Sequence, residues 1–309
     1  MNKQEQAEIT LRYQQAAESF VNKMKGDPNV VAVIVSGSLA YDQVWEKSDI
    51  DMTLVVRDQV IKNSSYCIVE DDITINVYLV VRSSFKRYLE SLNGGSMMHS
   101  YFSKGHIVYT TEDSLYEYFE EYKGIGQDDV AMTLFFDACE LIHYYDKCLK
   151  WIKVKEDVLY AQYYLLKAAE IIAHMQVCFS GKIPTREAIT QAYEMNPDLI
   201  SVFYKDAMSR SYSEKEIYHA LGLMEHFIDQ HLEIIQKPVI DFMCDGEIKT
   251  ITMITNFFRQ ESHFIIGIFE YLSEKGVIAK VSQTIKITPK SRMAVEEIAY
   301  QYLDFGNSF

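Results

Sequence analysis

The hydrophobic pattern changes period near residue 125, and that change limits the fold more than any other feature of the chain. Before it, short β-branched runs alternate with helical stretches; after it, apolar residues recur at helical spacing as far as residue 236. In the first part the spacing predicts a helix over 6–25 that stops at Gly26-Asp27-Pro28. A strand over 30–35 follows, ended by Ser36-Gly37-Ser38, then a short helical piece and a second strand over 49–56. Residues 66–69 and 73–81 read as a hairpin across Glu70-Asp71-Asp72, 105–109 as a further strand and 112–122 as a helix. Gly124-Ile125-Gly126 marks a break. From 128 to 236 the reading is helical, with loop signals at Gly181-Lys182-Ile183-Pro184 and Asn196-Pro197-Asp198. The tail reads as three short helices (238–244, 250–259, 262–275), a two-stranded hairpin (276–280, 284–288) and a final helix over 289–302. The fold class is therefore α+β: a first part that mixes strands and helices, an all-α bundle and a compact tail, with no internal repeat.

Composition narrows the function classes. In 309 residues, 48% are hydrophobic, enough for a sizeable core and too many for a disordered chain. Thirty basic against 44 acidic residues leave a formal charge of −14, which opposes binding to long polyanions and suits small or cationic partners. No run is long and apolar enough to span a bilayer, and the start lacks the build of a signal peptide, so a cytoplasmic protein without a membrane partner is expected. Cys67, Cys139, Cys148, Cys178 and Cys244 contain no CxxC pair and read as reduced core residues. The 22 Tyr and 16 Phe read as core filling.

The chemistry is concentrated in VIVSGSLAYDQVWEKSDIDMTLVV. Gly37 and Ser38 follow a strand and open a helical piece, so free backbone N–H groups and a hydroxyl are offered to a phosphate chain. Asp49 and Asp51 stand at i and i+2 on a strand, which places both carboxylates on one face, close enough to share metal ions. Each piece alone is also an ordinary turn or cap; together they match the needs of metal-assisted nucleotidyl transfer.

Gly37-Ser38 followed by Asp49-Ile50-Asp51 resembles the GS…DxD signature of the polymerase-β-type nucleotidyltransferase superfamily, with Ser48 before the first acid fitting as well. The resemblance covers roughly residues 10–125. It implies a small mixed-sheet core, triphosphate binding by Gly37, Ser38 and Ser48, and two Mg²⁺ ions on Asp49 and Asp51. The helical part is similar in style to the substrate domains of antibiotic-modifying relatives. The tail, with YLSEKGVIAK and ITPKSR, resembles a winged helix. The domains are then 1–125 (nucleotidyltransferase core), 126–236 (helical substrate or interaction domain) and 237–309 (winged-helix-like).

One departure stands out. The superfamily supplies a third carboxylate from a neighbouring strand, and here the matching strand Ile73-Thr74-Ile75-Asn76-Val77-Tyr78-Leu79 carries none. Asn76 can offer an amide oxygen to a metal but cannot accept a proton. Some drug-modifying relatives take the base from the helical domain, where LFFDACELIHYYDK offers Asp137 and Glu140 on roughly one helix face; both also read as ordinary solvated acids. His143 and His174 read as helix-packing residues, and Glu70-Asp71-Asp72 as a solvated turn.

The expected function is Mg²⁺-dependent transfer of a nucleoside monophosphate, AMP from ATP, to a hydroxyl of a small acceptor held between core and bundle, an aminoglycoside-like cation being compatible with the acidic charge. The alternative is a nucleotide-binding regulator with weakened catalysis whose winged helix binds DNA or protein. Residues 237–309 hold 8 basic and 9 acidic residues, and the expected recognition helix is mostly apolar. That disfavours nucleic acid, leaves wing lysines for phosphate contacts, and suits packing or homodimer formation better.

Overall fold

The computed structural model describes residues 3–41, 44–90, 102–122 and 127–303, so the expected break at Gly124-Ile125-Gly126 lies outside the described residues. The chain divides into two compact units, residues 1–126 with 183–186 and residues 127–182 with 187–309.

The first unit runs α1 (Lys3–Lys25), β1 (Val30–Ser36), a 3₁₀ turn (Gly37–Tyr41), β2 (Ile50–Val56), β3 (Ser65–Glu70), β4 (Ile73–Val81), α2 (Arg82–Glu90), β5 (His106–Thr110) and α3 (Asp113–Tyr122). The five strands form one mixed sheet in the order β3-β4-β2-β1-β5, with β2 and β4 parallel and the other neighbours antiparallel. Both faces are covered, which is why the strands read as nearly continuous apolar runs. On one face Tyr13, Ala16, Ala17, Phe20 and Val21 of α1 meet Val33, Val35, Met52, Leu54, Ile75 and Val77. On the other, Phe85, Leu89, Phe102, Leu115 and Phe119 cover Ala32, Ile34 and Val55. Each fully buried Phe contributes about 2 kcal/mol by area. That second cover takes in Val55 and Val80, and the row of Asp51 and Asn76 lies beyond it.

The β3–β4 turn is the hairpin expected. Asp71 and Asp72 both have left-handed φ (50° and 62°), as a two-residue type I′ turn demands. Glu70 departs from the reading of a solvated turn: it is buried, paired with Lys23 Nζ at 2.6 Å, and accepts a hydrogen bond from Ser19. It thereby ties α1 to the sheet edge, and the Lys23 and Ser19 bonds hold its carboxyl below the usual range.

The second unit contains α4 (Gln127–Lys153), α5 (Val158–Phe179), α6 (Ala188–Met195), α7 (Pro197–Ile200), a π-helical turn (Ser201–Lys205), α8 (Asp206–Ser209), α9 (Glu214–Gln230) and α10 (Leu232–Met243). Asp157 caps α5 by accepting from Tyr160 N at 2.9 Å, and Ser213 with Glu216 forms a capping box at the start of α9. The tail then adds β6 (Lys249–Thr250), α11 (Ile251–Phe258), α12 (Ser262–Glu274), β7 (Ala279–Ile285) and β8 (Val295–Gln301), with sheet order β6-β8-β7.

Three expectations for the tail are corrected. The helix expected from Pro238 begins at Leu232 and carries Pro238 inside it. The expected final helix over 289–302 is instead strand β8, because its register with β7 and β6 buries Ala299 and Tyr300. Good helix formers there are overruled by pairing. The expected hairpin of 276–280 with 284–288 is replaced by β7 running unbroken over Ala279–Ile285 and pairing with β8, while Gly276, with φ +75°, belongs to the C-terminal cap of α12. Cys139, Cys148 and Cys178 are buried as expected; Cys67 and Cys244 are exposed. Among the described residues no helix is long and apolar enough to cross a membrane.

Candidate functional site

The first residue after β1 shapes the site. Gly37 has φ +69°, and a Cβ built on it would collide with Asp51 Oδ2. The chain can therefore turn tightly over the Asp51 carboxylate only with glycine at this position. Ser38 follows in the 3₁₀ turn, its hydroxyl donating to the Asp49 carbonyl at 3.4 Å. Ser48 closes the turn before β2: its hydroxyl accepts from Trp45 N at 3.1 Å, and its carbonyl accepts from Tyr13 OH at 2.7 Å.

Asp49 and Asp51 meet through a third residue. In the parallel ladder Asp51 lies opposite Asn76, and Asn76 Nδ2 donates to Asp49 Oδ2 at 2.5 Å and to Asp51 Oδ1 at 3.3 Å. One amide bridging both carboxylates means both face the same side of the sheet, as the strand period requires. Asp49 is exposed and Asp51 nearly buried, so the pair opens outward from a fixed base. Two buried hydroxyls flank Asp51 without a hydrogen-bond partner among the described residues, Ser36 Oγ across on β1 and Thr53 Oγ1 two residues along β2.

Asp137 and Glu140 lie on α4, in the second unit. Asp137 Oδ2 is 2.6 Å from His174 Nδ1 on α5, and Glu140 accepts a hydrogen bond from Tyr144 OH. Burial, with the Glu140 bond second, raises the Tyr144 hydroxyl well above its ordinary pKa. His174 is thus the hydrogen-bond partner of a candidate acid as well as a packing residue. A separation of 37 positions in the chain hides the pairing from any local pattern. His143 has its pKa lowered, by burial first and then by Lys147.

No protein-family model and no curated protein matches the chain. Among solved structures, a nucleotidyltransferase-like protein from Exiguobacterium sibiricum is similar over 94% of this chain and 99% of its own, with a TM-score of 0.63 and 16% identity. The chain has a nucleotidyltransferase-like fold. A spectinomycin adenyltransferase from Enterococcus faecialis, solved with ATP and spectinomycin, aligns over 69% of this chain and 98% of its own, at 14% identity and a TM-score of 0.32.

In the nucleotidyltransferase-like fold the question is whether these residues suit Mg²⁺. Among the described residues no three His, Cys, Asp or Glu side chains are grouped to hold a metal. The donor set is two carboxylates and one amide, all oxygen-bearing groups of the kind Mg²⁺ takes. The cradle formed where Gly37 lacks a Cβ lies directly against Asp51 Oδ2. Asn76 currently points its NH₂ at the acids; rotated by half a turn it presents its oxygen instead. The set fits a hard divalent cation, with one formal charge fewer than three carboxylates would provide.

Proposed function

We propose that the chain is a nucleotidyltransferase that moves AMP from ATP to a hydroxyl of a small, aminoglycoside-like cationic acceptor. The observation that carries this reading is the convergence of Asp49 and Asp51 on Asn76 beside the Gly37 turn. In the reaction, the acceptor oxygen bonds to the α-phosphorus, the bond to the β-phosphate oxygen breaks, pyrophosphate leaves and the hydroxyl proton passes to a base. Gly37 and Ser38 hold the triphosphate through backbone N–H groups and a hydroxyl, with Ser48 shaping the adjoining turn. Asp49 and Asp51 would hold Mg²⁺, with the Asn76 amide oxygen as a neutral ligand. The ion, when bound, offsets the charge of the triphosphate and the leaving pyrophosphate. Asn76 holds the two carboxylates together but takes no proton, so the base is assigned to Asp137 or Glu140.

Residues 1–236 carry 22 basic and 35 acidic residues, a balance that favours a cationic acceptor. The test is pyrophosphate release with Mg²⁺ and each NTP against an aminoglycoside and lincosamide panel, beside an Asp49→Asn/Asp51→Asn control. Release that depends on one acceptor and vanishes in the control supports the proposal. ATP binding without release for every acceptor overturns it.

Asn76 in the place of the third carboxylate favours a second reading, a nucleotide-binding regulator with little turnover. In this reading the order α10, β6, α11, α12, β7, β8 is winged-helix-like and contacts protein. DNA suits it poorly, because α12, the helix such a domain would insert into a groove, is committed elsewhere. A Cβ on Gly267 would come within 3.2 Å of Ile142 on α4. Tyr271 OH donates to Asp229 at 2.7 Å, and Lys275 pairs with Asp229 at 2.7 Å and Glu225 at 3.2 Å. A salt-dependent mobility shift of random duplex by the full chain would reinstate DNA as a partner.

A further inference from the structure

A second recess lies wholly within the unit of residues 127–182 and 187–309 and shares no residue with the Gly37 site. It is a cavity of about 510 Å³ walled by α5, α7, the π-helical turn and α9, within the size range of small-molecule sites. Its lining has no Lys or Arg and a single carboxylate, Asp198, beside the imidazoles of His219, His226 and His231. With no Lys or Arg to anchor an anion, and amide, imidazole and apolar groups in their place, the lining suits an uncharged ligand.

Backbone groups fix what the walls offer. Leu199 N donates to Asn196 Oδ1 at 3.3 Å, which sets the orientation of that amide. Asn196 Nδ2 then donates to Gln176 Oε1 at 3.1 Å, so Gln176 turns its NH₂ outward as a donor. His231 Nδ1 is 2.9 Å from the Phe227 carbonyl, which can only accept, and the ring stacks on Phe179 at 3.6 Å and 9°. With Nδ1–H given to that carbonyl, the neutral tautomer carries its acceptor at Nε2. Leu223, Phe227 and Val202 supply apolar surface between them. Val202 belongs to the π-helical turn Ser201–Lys205, a distortion that widens a helix and recurs at functional sites.

We propose that this cavity binds a neutral planar heterocycle through an amide or lactam edge. The ligand N–H donates to His231 Nε2, its carbonyl accepts from Gln176 Nε2, and its ring lies against Leu223 and Phe227. Uracil is the probe, titrated into the full chain by calorimetry and saturation-transfer NMR, with 1,3-dimethyluracil as the arm that lacks N–H donors. Uracil is expected to bind, and dimethyluracil to bind about tenfold or more weakly, the scale of one lost hydrogen bond. His231→Phe, which keeps the ring on Phe179 but removes Nε2, is expected to cost a similar factor, and Leu223→Trp to weaken binding by crowding the wall on which the ring lies. No uracil binding at millimolar concentration, equal binding of dimethyluracil, or uracil binding unchanged by Leu223→Trp overturns the proposal. The two ligand arms use the unaltered chain, so they decide the matter even should Leu223→Trp fail to fold.

Discussion

Asn76 Nδ2 donates to Asp49 Oδ2 at 2.5 Å, and the same amide nitrogen lies 3.3 Å from Asp51 Oδ1. A neutral side chain thus bridges two carboxylates where the superfamily resemblance implies a third acid. Asn76→Asp replaces the bridging donor with a like charge. Without divalent cation the variant is expected to lose about 1–3 kcal/mol of stability through the lost hydrogen bonds and added repulsion. With Mg²⁺ it is expected to bind the ion more tightly than the parent chain. Thermal melts in EDTA and in Mg²⁺, with calorimetric Mg²⁺ titration, check both halves; equal Mg²⁺ affinity would show that position 76 does not face the ion.

Gly37→Ala puts a methyl group against Asp51 Oδ2 and forces a left-handed φ on alanine. A destabilisation of about 1–2 kcal/mol is expected from the backbone alone. Displacement of Asp51 should weaken binding of a non-hydrolysable ATP analogue by more than the stability loss accounts for. An analogue titration at a temperature where both proteins are folded separates the two effects.

The two acids of α4 can be told apart kinetically. Asp137→Asn alters the hydrogen bond with His174, and Glu140→Gln alters the bond from Tyr144. Whichever serves as base should lower kcat by about a hundredfold or more with KM little changed. If both variants keep full kcat, neither takes the proton.

Acid should unfold the helical unit partly through Glu216. Its carboxyl is held down to about 2 by the Ser213 backbone and hydroxyl and by Arg210, which lies 2.6 Å away. A depressed carboxyl stabilises the fold above its unfolded pKa of about 4.5, and that stability is lost as pH falls toward 2. Glu216→Gln should therefore be less stable than the parent in urea at neutral pH, and the difference should shrink through this window. Glu70, held below its usual range by Lys23 and Ser19, contributes in the same direction.

The β3–β4 turn offers a gain. Asp72 sits at φ +62° in a position where glycine costs nothing sterically. Asp72→Gly should raise the melting temperature, by up to about 1 kcal/mol of stability. A drop instead would mean that the Asp72 side chain contributes more than its backbone strain costs.

Much of the core was legible because its signals are local. The Val30–Val35 run, the glycine after it and the two-residue spacing of Asp49 and Asp51 are consequences of backbone dihedrals and side-chain alternation, which neighbours in sequence determine. The same locality made the helical spacing from α4 to α9 readable and the Gly181 and Asn196 loops visible. Where residues depend on distant partners, local pattern was not enough. Residues 295–301 carry good helix formers but form a strand, because β7 and β6 pair with it.

The sequence by itself determined that a glycine turn and two same-face acids would stand together on a mixed sheet, since each needs only a few consecutive residues. The tertiary structure alone decided how those acids are held and what surrounds them. The parallel register sets Asn76 opposite Asp51, α4 against α5 joins Asp137 to His174, and the packing of α12 on α4 and α9 occupies its face. Pairing register and helix packing are set by burial summed over the whole unit, and no stretch of the chain carries that sum on its own.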